Sequence, residues 1–185
     1  MLAAAFALAL AIRQKSITRS TITLISLAAT IGCGSFLFHT MPSFQTMWLD
    51  IIPILLFQIF FLWLITRKLL SSNIYLAAGM VVIVVGSSCA LLPFQKPLNG
   101  SLFYIPSLVA MAAYGFLWAK RSQTEPYLLS GAAYFFAIAI IARSSDWAVP
   151  WPLGTHFLWH LLNGVVVYTA IRTWIVASSD PSPIR

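Results

Sequence analysis

Long uncharged apolar runs alternate with short polar breaks along the whole chain. The runs read as spans at Met1–Ile12, Ser20–His39, Met47–Thr66, Ile74–Pro93, Leu102–Ala119, Tyr127–Arg143 and Thr155–Ala177. Several approach the roughly 20 residues a helix needs to cross the hydrocarbon core of a bilayer. Period-2 alternation is missing, so the runs predict helices rather than barrel strands. The breaks hold Pro42, Pro97 with Asn99-Gly100, Pro126, and Pro150-Trp151-Pro152, residue types that end helices and make turns. The pattern predicts an all-α, polytopic bundle of seven transmembrane helices. It forms one domain over residues 1–177, followed by a disordered tail, 178–185. No internal repeat and no extramembrane domain is evident.

The first run is the exception. At 1.5 Å per residue it extends only about 18 Å, too short to cross alone. Its basic residues, Arg13, Lys15 and Arg19, follow the apolar stretch, whereas a signal peptide carries them before it. Two expectations remain: the trailing part of a helix that starts upstream, or a short helix in a locally thinned bilayer.

Composition narrows the class. Of 185 residues, 60% are hydrophobic and 8% charged, and the mean hydropathy is +0.89, a balance that excludes a water-soluble domain. The net charge of +7 would suggest nucleic acid in a soluble protein. Here the cations sit in loops between apolar runs and report orientation instead. Arg13, Lys15 and Arg19, then Arg67 and Lys68, then Lys120 and Arg121, occupy alternate loops, with Arg185 on the same side; Lys96 and Arg143 lie opposite. The bias predicts an outside N-terminus and a cytoplasmic C-terminus. No nucleic acid and no protein partner is expected. Cys33 and Cys89 are isolated in apolar runs and form no CxxC pair, so they read as small buried hydrophobes rather than thiolate ligands.

Candidate chemistry is concentrated at one end of the predicted helices. His156 and His160 are spaced i, i+4 and share one helix face. His39 closes the second span, and the predicted topology brings it to the same depth. Three imidazoles on one zinc leave a fourth position for water, the open form used in catalysis, and the metal lowers the water pKa to roughly 7. Ser35 lies i−4 from His39 and can donate to a developing oxyanion or to the water. Asp50 is placed about one turn into the third span, as a general base or as a helix cap favoured by the dipole. Asp146 has two readings, a salt bridge with Arg143 or an acceptor for the free imidazole N–H of His156 or His160. Glu125 and Asp180 read as solvated groups at the other end.

The residues Gly34-Ser35-Phe36-Leu37-Phe38-His39, Asp50-Ile51-Ile52-Pro53 and Gly154-Thr155-His156-Phe157-Leu158-Trp159-His160-Leu161-Leu162-Asn163-Gly164 together resemble the alkaline ceramidase family. That family belongs to a superfamily of seven-helix membrane hydrolases that includes the adiponectin and progestin receptors. The shared pattern is S-x3-H, then D after ten intervening residues, then H-x3-H in the last helix. The resemblance covers the chain from Ile12 onward. It implies a zinc amidase that cleaves the N-acyl bond of ceramide. His39, His156 and His160 would hold Zn2+, and Ser35 and Asp50 would flank the catalytic water. The short loops resemble the bacterial branch. The acidic N-terminal segment that binds calcium in eukaryotic members has no counterpart before Asp50, so calcium is not expected.

The expectation is therefore a multi-pass protein of a bacterial inner membrane, a zinc-dependent hydrolase that takes a lipid amide sideways from the bilayer. The alternative is a non-enzymatic seven-helix receptor or sensor with a structural zinc site, a reading that Asp50 as a fourth direct ligand would favour. A transporter fits less well, because the ionisable residues gather at one depth instead of marking a path.

Overall fold

A computed structural model describes residues 1–70, 73–94, 96–149 and 154–179. The fold is all-α, with no strand among the described residues. The helices are α1 (Leu2–Arg13), α2 (Arg19–Thr40), α3 (Phe44–Leu69), α4 (Ile74–Leu91), α5 (Ile105–Arg121), α6 (Leu128–Ser144) and α7 (His156–Ser179). Every predicted span is matched by one of them. Pro150, Trp151, Pro152 and residues 180–185, with Asp180 and Arg185, lie outside the described residues.

Three boundaries differ for local reasons. Helix α3 starts at Phe44 because Ser43 and Thr46 form a reciprocal capping box. The Thr46 N–H donates to Ser43 Oγ at 3.1 Å, and the Ser43 N–H donates to Thr46 Oγ1 at 2.8 Å. These bonds satisfy two donors that a helix start otherwise leaves unpaired. Asp50 thus lies about two turns inside α3 and is not its cap. Before α5, a 3-10 segment runs from Pro97 to Tyr104, and Leu98, Asn99 and Gly100 adopt left-handed φ values of 55°, 50° and 75°. At the far end, Ser178 and Ser179 extend α7 instead of opening a disordered tail. Ser179 Oγ lies 2.8 Å from Ser16 Oγ beyond α1.

The helices pack as a ring in chain order, with α7 closing back on α1 and also touching α2 and α3. The side chains of Leu24, Ile65, Leu69, Trp118, Leu129 and Ile171 are fully buried inside it. The outside is as apolar as the inside: Phe36, Tyr75, Val82, Ile83, Phe116 and Ile141 are exposed. Four of the seven helices (α2, α3, α4, α7) and the stretch Leu98–Arg121, five elements in all, are long and apolar enough to cross a membrane; α1 and α6 are shorter. Cys33 and Cys89 stand on this outer surface, not in the core.

The end of the bundle away from the histidines is tied by polar contacts. Glu125, in a left-handed conformation, pairs with Arg172 of α7 at 2.8 Å. Its carbonyl accepts from Trp118 Nε1 at 3.0 Å. Glu125 is therefore a bridge between the α5–α6 connection and α7 rather than a solvated loop carboxylate. Thr66 Oγ1 and Tyr114 OH are 2.7 Å apart inside the bundle, and Arg121 donates to the Leu69 carbonyl at the end of α3.

One contact sets the register of α2 against α3. Pro53 has no N–H to offer the carbonyl of Leu49, four residues earlier in α3, and its ring crowds that carbonyl. The Leu49 carbonyl lies against Gly34 of α2, in the space that a Cβ at Gly34 would occupy. Only glycine lets the two backbones meet there. The neighbours, Ser35 and Asp50, are thereby brought face to face. Gly34→Ala should wedge the helices apart and cost about 1–3 kcal/mol, as overpacking does. Thermal unfolding in detergent should show this loss, whereas Gly79→Ala, which opens on free space, should unfold close to wild type.

Candidate metal centre

The ends of α2 and α6 meet the starts of α3 and α7 at one end of the ring. His39 comes from the last turn of α2, and His156 and His160 from the first turns of α7. The ring centroids are 5.5 Å apart for His39 and His156, and 4.8 Å for both His39–His160 and His156–His160. One ligand nitrogen from each lies within 4.8 Å of the others. The Nε2 atoms of His156 and His160 are 3.1 Å apart. Tetrahedral zinc, at about 2.0–2.1 Å from each nitrogen, holds its ligands about 3.3 Å from one another. The pair on α7 already stands near that spacing, and a small rotation of His39 completes the set. These three histidines can hold a metal ion.

Ser35 lies at the back of the site. Its Oγ is 3.3 Å from His160 Nδ1, which leaves Nε2 to face His156. A ligand histidine is commonly oriented through its second ring nitrogen in this manner. Ser35 also reaches the Asp50 side chain. Asp50 Oδ1 is buried without a hydrogen-bond partner, so it keeps a lone pair for the proton of a reacting group. Asp50 is not in the metal-ligand cluster, which among the described residues consists of the three imidazoles.

Asp146 makes neither of its expected contacts. Its Oδ1 accepts from the backbone N–H groups of Thr155 and His156, the latter at 3.0 Å, and from the Thr155 hydroxyl at 3.2 Å. It caps the start of α7 from beyond the end of α6. The partner is backbone because the carboxylate lies against Gly154 (φ 58°), where a Cβ would displace it. The Thr155 hydroxyl also reaches the Ala142 carbonyl at 2.5 Å, so α6 and α7 are clamped where the histidines emerge. The Thr155 N–H, first among these donors, holds the Asp146 carboxyl below the ordinary aspartate range. A carboxyl with a depressed folded pKa stabilises the fold above its ordinary value and ceases to do so as pH falls through the folded one.

Arg143, expected only as a partner for Asp146, lines the site instead. Its guanidinium stands 5.1 Å from the Trp159 ring and 5.9 Å from the Tyr104 ring. Sequence alone carried no signal for this, because both rings come from other elements.

The histidines, Ser35, Asp50 and Arg143 open on one cavity of about 610 Å³, within the range of lipid and small-molecule sites. The rest of its lining is largely apolar, with Phe38, Ile54, Met111, Phe136 and Val167 among it. The arrangement can place a cation, a carboxylate and a hydroxyl around a polar group whose hydrocarbon tail runs into the bundle.

No protein-family model, no curated protein and no solved structure matches the chain.

The Asp146 cap gives a direct test. Asp146→Ala frees the first N–H groups of α7 and should weaken binding of a divalent metal ion several-fold, since a lost helix cap costs about 1 kcal/mol. Asp146→Asn keeps a capping oxygen and should bind the metal ion close to wild type. Competition with a chromophoric chelator distinguishes the two; equal weakening in both variants would make charge, not capping, the cause.

Proposed function

We propose that this chain is an integral membrane, zinc-dependent amidohydrolase of the alkaline ceramidase type, cleaving the N-acyl bond of ceramide or a related lipid amide. The observation that carries this reading is the convergence of His39 with His156 and His160 beside Ser35 and the unpartnered oxygen of Asp50, at the mouth of an apolar cavity. An ordinary structural zinc site closes all four positions with protein groups. Three imidazoles with the carboxylate set apart favour the open, catalytic form over the receptor with structural zinc.

His39, His156 and His160 would hold the ion, which when bound supplies a Lewis acid and water acidic enough to be a nucleophile at neutral pH. Asp50 takes the proton of the attacking water on its free oxygen and returns it to the leaving amine nitrogen. Ser35 holds His160 by Nδ1 and, turned toward the substrate, donates to the amide oxygen as charge develops there. The acyl chain lies along Phe38, Ile54 and Met111, away from water. The basic clusters at Arg13–Arg19, Arg67–Lys68 and Lys120–Arg121 are consistent with an outside N-terminus and a cytoplasmic C-terminus, which sets the site in the non-cytoplasmic half of a bacterial inner membrane.

The test is metal analysis of detergent-purified protein together with ceramide and N-acylethanolamine hydrolysis. One zinc per chain is expected, and His156→Ala should lose both metal and turnover. Asp50→Asn should keep the metal and lose activity by about 10²–10⁴-fold, the usual contribution of a general base. Folded protein without zinc would end this reading. Zinc-loaded protein that unfolds on chelation and turns over no lipid amide would establish the structural-zinc receptor in its place.

A further inference from the structure

The cavity contains a cation, Arg143, that shares it with Asp50 but makes no ion pair with that carboxylate. Among the described residues the one ion pair is Arg172–Glu125, at the other end of the bundle. No carboxylate oxygen among the described residues lies within 4.0 Å of the Arg143 guanidinium, and its Nε is buried without a hydrogen-bond partner. A guanidinium does not give up its proton in a protein, so burial cannot neutralise it. Such a group in an apolar bundle marks a function unless a partner is found.

The side chain is also held in place. Tyr104 and Trp159 both lie within cation–π reach of the guanidinium, and the two rings pack on each other with centroids 4.8 Å apart. Asn99 donates to the Arg143 carbonyl at 3.1 Å, and Ser144 Oγ donates to the Leu98 carbonyl at 3.0 Å. The left-handed turn at Leu98–Gly100 thus fastens the end of α6. These contacts engage the guanidinium through its charge and use none of its N–H donors, the groups that pair with a carboxylate in two parallel hydrogen bonds.

The charge balance points the same way. The charged and titratable side chains lining the cavity are His39 (α2), Asp50 (α3), Arg143 (α6), and His156 and His160 (α7); the α1 and α5 side chains there are uncharged, and the Met1 amino group borders the cavity as a further cation. Asp50 and Arg143 cancel formally, and a divalent ion on the histidines leaves the site cationic. An anionic ligand is therefore favoured over a neutral one.

We propose that Arg143 is a carboxylate-binding residue of this cavity and that the lipid amide it receives is an N-acyl α-amino acid, whose head carries a carboxylate two bonds from the amide nitrogen. The proposal rests on the reading of the cavity as a lipid-amide site. It assigns Arg143 to the amine side of the scissile bond and leaves the hydrocarbon walls to the acyl side.

The experiment is competition on ice against a fluorescent acyl-chain probe bound to the full-length protein as purified in a neutral detergent. The competitors are N-lauroylglycine, N-lauroylethanolamine and lauric acid, with their recovery checked by mass spectrometry. Wild type should bind N-lauroylglycine about tenfold or more above N-lauroylethanolamine, the worth of one charge-assisted hydrogen bond to a desolvated carboxylate. Arg143→Gln should abolish that preference, and Arg143→Lys, which keeps charge without the planar fork, should retain part of it. Equal binding of the two amides by wild type overturns the proposal, and this arm needs no variant to fold. So does a preference that survives Arg143→Gln, or an Arg143 dependence seen for lauric acid alone, which would assign the residue to the released acid. Failure of the hydrolase reading looks different: no zinc and no turnover, with the head-group preference intact.

Discussion

Two helix backbones touch where Gly34 receives the Leu49 carbonyl, and the chemistry at this end of the bundle depends on that contact. A proline four residues on removes the carbonyl's helical partner, and a glycine opposite gives it room. Glycine and proline weaken helix interiors when judged alone. Here the two occur at matching depths on neighbouring helices, so each makes the other tolerable. The outcome is a separation between α2 and α3 too small for side chains, with Ser35 and Asp50 held edge to edge beside it. A polar pair set among apolar helix faces is satisfied best by such closeness.

The site is then completed by a second joint, between α6 and α7. Asp146, Gly154 and Thr155 stitch the start of α7 to the end of α6, which sets the rotation of α7 and hence the direction of both imidazoles. The two joints are independent in sequence but meet at Ser35, whose hydroxyl touches His160. The bundle's opposite end is fastened by Glu125–Arg172 and by Thr66–Tyr114. Rigid connection at both ends leaves the central cavity as the place where packing is incomplete.

The number and order of helices were legible because run length and charge-free composition respond to the bilayer, not to tertiary detail. The i, i+4 spacing of His156 and His160, and of Ser35 and His39, was legible for a similar reason: helical geometry makes them neighbours whatever surrounds them. Asp50 was placed near the start of α3 because the apolar run begins at Met47, whereas the capping box at Ser43 begins the helix a turn sooner. Asp146, Glu125 and Arg143 were misjudged together, and for one cause. Each carries a charge near a helix end, where sequence offers either an adjacent opposite charge (Asp146 and Arg143) or solvent (Glu125) as the easy partner. Each takes a partner from elsewhere: a backbone terminus, a cation 47 residues away, and a pair of aromatic rings. Long-range polar contacts leave no periodic trace.

Seen as electrostatics, the two ends of the bundle solve the problem of buried charge differently. At the Glu125 end, an acid and a base meet directly and nothing further is required of them. At the His39 end, Asp50 and Arg143 share one cavity and do not meet; an oxygen of the first and a nitrogen of the second are both buried without partners. Such separation is expensive in a low dielectric, and a fold selected for stability alone would let the two groups pair. A cation on the imidazoles between them would satisfy the carboxylate's field, and an anionic head group would satisfy the guanidinium's. On the proposed reading, the strain of keeping them apart would be the cost of holding both groups ready for a bound ligand, which is how preorganised sites gain their strength.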